Sequence, residues 1–280
     1  MRIAIVTDST ADIPYDLADQ LQIHVVPNIL MIDGKSIEDG RDFSRQEFYT
    51  RLPEMTTLPT TGAASIGTYL HMYESLFQQG YEYILSIHAS SLLSGIFNSA
   101  SAAAQSFGER VRVVDSKQVT LALGFQVLAA VEAVAVGLAL EKVIQRVLEM
   151  QPWVRMVAMI DTLEYLKRSG RVSWAIAGLG SLLKIKQFVE VKDGVVHRIG
   201  ESRTRSKGIA RLVEILHSQG SLERLAILHT NAENDARQIL ENLTVKLSME
   251  PLVVNVTTVL GTHVGPNGLG FAAVLERPAV

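Results

Sequence analysis

A chain of 280 residues is long enough to bury a large core, and one large domain and two smaller ones are both compatible with that length. Its 26 basic and 29 acidic side chains leave a formal net charge of −3, which gives no electrostatic footprint for nucleic acid and no polybasic membrane anchor. With no cysteine there are no thiolate metal sites, thiol nucleophiles or disulfides, a composition that suits a reducing cytosol.

The chain opens on Met1-Arg2-Ile3-Ala4-Ile5-Val6-Thr7-Asp8, too short and too soon acidic for a signal peptide. Ile3–Thr7 reads as a β-branched strand, and Pro14–Gln22 as a short helix with its proline in the first turn. His24–Ile32 is a second extended run, closed by the turn Asp33-Gly34-Lys35. Ser44 with Glu47 forms a capping box ahead of the helix Arg45–Leu52. Helix Ala64–Gln79, strand Glu82–Ile87, helix Gly95–Phe107 and strand Val111–Asp115 follow. Val119–Leu140 is apolar enough to raise the question of a membrane span, with Glu132 as its one charge. A carboxylate in mid-span costs roughly 2.5–3.5 kcal/mol on insertion scales, and α/β patterning continues on both sides, so a buried helix ending near Gly137 is expected. Glu141–Met150 is the next helix.

After Gln151-Pro152 the character changes. Val154–Ile160 reads as a strand, Leu163–Lys167 and Ser173–Leu183 as helices, and Ile185–Val191, Asp193-Gly194 and Val195–Ile199 as a β-hairpin. Ser206–Gln219 is a helix, Leu225–His229 a strand, Glu233–Lys246 a helix, and Leu252–Thr258 and Phe271–Leu275 are strands. The expected architecture is α/β in two domains, residues 1–152 and 153–280, with a mainly parallel sheet in the first.

Four segments have the composition of a binding site. Asp8-Ser9-Thr10-Ala11-Asp12 lies at the carboxyl end of the first strand, where α/β sheets meet their ligands; a capping turn explains it equally well. Thr56-Thr57-Leu58-Pro59-Thr60-Thr61-Gly62 leads hydroxyls toward a helix amino terminus, suited to an anion, although threonine is also an ordinary N-cap. His88-Ala89-Ser90-Ser91-Leu92-Leu93-Ser94-Gly95 joins a strand to a helix, with small residues at its end that let backbone approach a ligand. Gly261-Thr262-His263-Val264-Gly265-Pro266-Asn267-Gly268-Leu269-Gly270 reads as a conformationally demanding loop between two strands that carries a histidine. Its glycine spacing imitates a dinucleotide fingerprint, but no helix pattern follows it, and that reading is rejected. Arg198, Arg203, Arg205, Lys207 and Arg211 gather around a helix start, either as a solvated face or as a docking patch for an acidic or phosphorylated partner. Gly-x-Ser-x-Gly, Walker-type and His-Glu-x-x-His motifs are absent from the sequence, and neither a metal nor a cofactor is expected.

Taken together, Thr7-Asp8-Ser9-Thr10-Ala11-Asp12, Thr60-Thr61, Ser90-Ser91-Leu92-Leu93-Ser94-Gly95 with Asn98-Ser99-Ala100, Val114-Asp115-Ser116-Lys117, the Leu163–Arg171 segment and Gly265-Pro266-Asn267-Gly268 resemble the DegV family of bacterial fatty-acid-binding proteins over essentially the whole chain. The resemblance implies a long-chain fatty acid buried between two α/β domains. Its carboxylate would be held by the hydroxyls of Thr61 and Ser94, with His263 nearby. It further implies a lipid-binding rather than a catalytic role, in which the acid is presented to a separate ATP-binding fatty acid kinase subunit that makes an acyl phosphate for phospholipid synthesis. Arg171, and Arg203 or Arg205, would then serve partner docking or phosphoryl chemistry. The family's Pro-Ser after the threonine loop is Ala63-Ala64 here, and its Thr-Tyr after Ser94-Gly95 is Ile96-Phe97, so hydroxyls are missing close to the expected head-group site. The competing expectation is a serine hydrolase of acyl esters, with Ser94 as nucleophile, His263 as base and Asp8 as a third member.

Overall fold

The computed structural model describes residues 1–40, 44–172, 174–175 and 185–277. The helix expected over Ser173–Leu183 lies largely outside them. In chain order the elements are β1 (Ile3–Asp8), α1 (Tyr15–Gln20), β2 (Ile23–Val26), β3 (Ile29–Ile32), β4 (Lys35–Glu38), α2 (Arg45–Arg51), β5 (Thr60–Gly62), α3 (Ile66–Gln78), β6 (Tyr83–His88), α4 (Ile96–Ala104), β7 (Val111–Asp115), α5 (Thr120–Ala135) and α6 (Leu140–Met150). They continue with β8 (Val154–Ile160), α7 (Leu163–Ser169), β9 (Lys186–Lys192), β10 (Val195–Ser202), α8 (Arg205–His217), β11 (Leu222–His229), α9 (Glu233–Glu241), β12 (Leu252–Asn255), α10 (Thr258–Val264) and β13 (Leu269–Leu275).

These elements form two compact units. The first comprises Met1–Ile29, Gly62–Pro152 and Asp193–Val195; the second comprises Leu30–Thr61, Trp153–Lys192 and Val196–Val280. In the first, strands run in the order β2-β1-β6-β7 and every pairing is parallel. All six residues of β1 are buried, as a central strand of a covered parallel sheet requires. Helix α5 is buried through its first three turns, so the apolar stretch of the sequence is core. It ends in a Schellman arrangement in which Gly137 N–H donates to Val134 O at 2.9 Å and Leu138 N–H to Ala133 O at 3.1 Å, with Gly137 at φ +80°. Among the described residues, no helix is long and apolar enough to cross a membrane.

The second unit holds a mixed sheet of order β10-β9-β8-β13-β11-β12, antiparallel from β9 to β11 and parallel between β11 and β12. One face packs Val157, Met159, Phe188, Ile227 and Phe271 against Leu212 and Leu216 of α8 and Ile239 of α9. A smaller sheet, β4-β3-β5, lies mostly in the segment Leu30–Thr61. That segment, expected in the amino-terminal domain, groups with the second unit because Leu30, Ile32, Phe48, Tyr49 and Leu52 share a core with Tyr165 of α7.

Three local expectations need correction. The extended run His24–Ile32 is two strands separated at Pro27-Asn28, since proline has no N–H to give a ladder. The strand expected over Leu252–Thr258 stops at Asn255, and the expected glycine-rich loop begins only after a helix: residues 258–264 form α10. Glycine and β-branched residues are poor helix formers, but here packing overrides propensity. Gly261 faces the ring of Tyr49, leaving no space for a side chain, and Tyr49 Oη donates to Val256 O at 2.9 Å and to Thr257 O at 3.2 Å just ahead of the helix.

Candidate functional site

Thr61 lies on β5, and His263 lies in the last turn of α10, both in the second unit. Several contacts hold the two elements. Asp39 Oδ1 accepts from Thr258 Oγ1 at 2.6 Å, and Tyr49 secures the chain entering α10. Past the helix, Gly265 N–H donates to Gly261 O at 2.7 Å. Thr230 then grips the turn: its carbonyl accepts from Asn267 N at 2.7 Å, its Oγ1 from Gly268 N at 2.6 Å, and its own N–H donates to Gly268 O at 3.1 Å. Thr61 Oγ1 and His263 Nε2 are 2.9 Å apart, a hydrogen bond whose direction depends on the tautomer.

Burial, reinforced by the positive charge of Arg171, pulls the His263 pKa down to about 4, so the imidazole is neutral at pH 7. Its Nδ1 is buried and has no hydrogen-bond partner among the described residues. The Thr61–His263 pair therefore carries two polar hydrogens, one O–H and one N–H. Whichever tautomer holds, one hydrogen lies between Oγ1 and Nε2 and the other is left for an acceptor. Such a pair suits an anion's oxygen and offers no charge of its own.

The depressed pKa also fixes a pH dependence of stability. Above the ordinary pKa of 6.5 both folded and unfolded imidazoles are neutral; below it the unfolded chain takes up a proton that the folded one refuses down to about pH 4. Stability is therefore lost as pH falls through that window, by roughly 3 kcal/mol in total from this group. Urea unfolding at pH 7 and pH 4 should show that component in the parent and not in His263→Gln; equal losses in both proteins would contradict the assignment.

Ser94 belongs to the first unit, half-buried, where its Oγ accepts from Ile96 N at 3.4 Å at the start of α4. The turn before it is fixed by Ser91 Oγ donating to Asp115 Oδ2 at 2.6 Å and by Ser90 Oγ donating to Gly194 O at 2.8 Å. Asp8 is not available as the third member of a Ser94–His263 triad. It is fully buried, its Oδ2 is 2.9 Å from His88 Nδ1, and His88 Nε2 is 2.6 Å from Ser86 Oγ, which accepts from Tyr73 Oη at 2.9 Å. Asp8 Oδ1 meanwhile takes Thr10 N–H at 3.0 Å, the Thr10 hydroxyl and Asn28 Nδ2 at 3.1 Å. Burial alone would raise the Asp8 pKa, but the hydrogen bond and charge of His88, with Thr10 and Ala89, bring it below its ordinary value. The Asp8–Asp12 segment is thus a capping turn tied to a buried relay.

Among the expected docking arginines, Arg171 and Arg203 are exposed. Arg205 needs correction as a freely presented cation. It is half-buried, donates through Nε to Asp235 Oδ2 at 2.8 Å, pairs with Asp161 Oδ1 at 3.3 Å, and donates to Asn267 O at 2.7 Å. Its guanidinium braces the turn that follows His263. Asp39, Tyr49 and Thr230, which fix the same turn and helix, carry no sequence signal, because their partners lie up to 219 residues away.

The model of the family described as "Uncharacterised protein, DegV family" matches residues 2–276. Protein DegV of Bacillus subtilis (strain 168) is 38% identical over 278 residues, covering 97% of this chain and 98% of that one. The solved structure of DegV from Bacillus subtilis, described as a fatty acid binding protein, superposes with a TM-score of 0.86 at 35% identity, over 99% of this chain and 100% of that one. A DegV family protein from Thermus thermophilus, described for its fatty acid binding, gives a TM-score of 0.90 at 32% identity over 99% and 100% of the two chains. Similarity that spans both units, in sequence and in backbone alike, is what common descent leaves, and the chain belongs to the DegV family.

Proposed function

We propose that this protein binds one long-chain fatty acid, with the carboxylate held by the hydroxyls of Thr61 and Ser94 and with His263 beside them. The observation that carries this reading is the half-buried Thr61–His263 pair with its unused hydrogen and with an Nδ1 that has no partner among the described residues. A carboxylate removed from water needs several donors, because an unpaired buried charge is very costly. The fatty-acid binding described for the relatives from Bacillus subtilis and Thermus thermophilus supports the same ligand class. Affinity comes mostly from the hydrocarbon, at about 0.8 kcal/mol for each buried methylene, so no covalent step is required. In the same proposal the bound acid is presented to a separate ATP-binding fatty acid kinase subunit, with the exposed cations Arg171 and Arg203 as docking residues and Arg205 supporting the site from within.

Native mass spectrometry of the gently purified protein should detect a co-purifying fatty acid, and a clean apo mass that takes up no added acid counts against the reading. Thr61→Ala and Ser94→Ala should each weaken binding of a long-chain acid roughly 10- to 100-fold, the worth of a hydrogen bond to a charged group, with no change of fold. Parent-like affinity in both variants would show that the head group lies elsewhere. Binding of the anion should also raise the His263 pKa from about 4, which an NMR titration with and without ligand will read directly. Turnover of an acyl ester that vanishes in Ser94→Ala would replace the carrier by a hydrolase.

A further inference from the structure

Gln187 lies on β9, directly opposite Ile160 of β8, and is 0% exposed. Its neighbours are satisfied: Lys186 Nζ is 2.8 Å from Asp161 Oδ1. Yet among the described residues neither Nε2 nor Oε1 of Gln187 has a hydrogen-bond partner. Side chains alternate along a strand, so Gln187 shares a face with Val189 and not with Phe188. That face carries an apolar cluster of Ile160, Leu163, Leu166, Val189 and, at its edge, Val264, the residue following His263. The Gln187 amide, buried and without a hydrogen-bond partner among the described residues, thus borders an apolar cluster that reaches α10 through Val264, inside the second unit.

A primary amide buried among aliphatic side chains loses its water and gains nothing unless a ligand completes it. The chemistry of the amide restricts what that ligand is. A carboxylate oxygen would occupy Nε2 and leave Oε1 facing a like charge; a plain hydrocarbon would satisfy neither atom. A hydroxyl both donates and accepts, and so completes both. We infer that Gln187 is a ligand-contacting, specificity-determining residue, and that it selects acyl chains bearing a hydroxyl. This inference rests on the fatty-acid reading and adds to it a second polar contact, away from the head group.

The test uses the full-length protein with hexadecanoic acid and a set of monohydroxy hexadecanoic acids that differ in hydroxyl position, titrated calorimetrically. The parent should bind its best hydroxylated isomer about ten-fold more tightly than the unsubstituted acid, the worth of the completed amide contact. Gln187→Leu should abolish that preference while binding hexadecanoic acid at least as tightly as the parent. The ligand-free Leu variant should also melt at a higher temperature, since it removes an unsatisfied polar group. A preference ratio unchanged by Gln187→Leu overturns the inference, and so does a lowered melting temperature, which would mean that the amide has a structural partner. A parent protein that binds none of the acids sinks the fatty-acid reading itself; binding of all of them with no dependence on residue 187 sinks only the present inference.

Discussion

Asp8→Ala is expected to cost about 3–5 kcal/mol of unfolding free energy, measured by urea titration at neutral pH. The carboxylate is wholly buried and receives His88 Nδ1, Ala89 N, Thr10 N, the Thr10 hydroxyl and Asn28 Nδ2. Its removal strands those donors in a region that water does not reach, and each orphaned group carries a desolvation penalty. His88→Ala breaks the same relay from its middle, leaving Asp8 Oδ2 and Ser86 Oγ without the ring between them. Because the two side chains act as one unit, the double variant should lose clearly less than the two single losses added together. Strict additivity would mean that Asp8 and His88 stabilise the fold independently, contrary to their geometry.

Gly265→Ala should be similarly damaging, at about 2–6 kcal/mol, through two separable effects. Gly265 adopts φ +80° with ψ 176°, a region that residues with a Cβ avoid, and it caps α10 two residues after His263. A Cβ there would also overlap the ring of Tyr165, itself buried in the core shared with Phe48 and Leu52. Tyr165→Leu in the same background removes much of the overlap and leaves the backbone strain, so the two substitutions should be coupled by 1 kcal/mol or more, roughly the cost of overpacking a core. An absence of coupling would assign the whole loss to backbone conformation. Since the turn after His263 is also held by Thr230 and Arg205, the folded variant should weaken the proposed fatty-acid binding as well as stability.

Much of the fold was legible in the sequence, because alternation and amphipathic period report on burial directly. β7, β8 and the parallel first sheet follow from runs such as Val111–Asp115 and Val154–Ile160, whose β-branched and apolar residues have no other stable use. The Ser44 cap and the Asp193-Gly194 turn are local chemistry, read from neighbours in the chain. Helix α10 was not legible: its residues favour a loop, and only Tyr49 and Asp39, more than 200 residues away, make a helix the better solution.

The candidate site divides along the same line. By itself the sequence determined that Thr61, Ser94 and His263 stand in segments rich in hydroxyls and glycine, because residue type and turn propensity are local properties. Tertiary structure alone decided that Thr61 and His263 meet at 2.9 Å, 202 residues apart in the chain, and that the imidazole is neutral, since its pKa is set by burial and by the charge of Arg171. It also decided that Asp8 serves His88 rather than a catalytic serine, that Arg205 braces a turn, and that Gln187 is buried with neither amide atom partnered among the described residues. Hydrogen bonds, desolvation and charge act through space, and distance through space is what a linear sequence does not record.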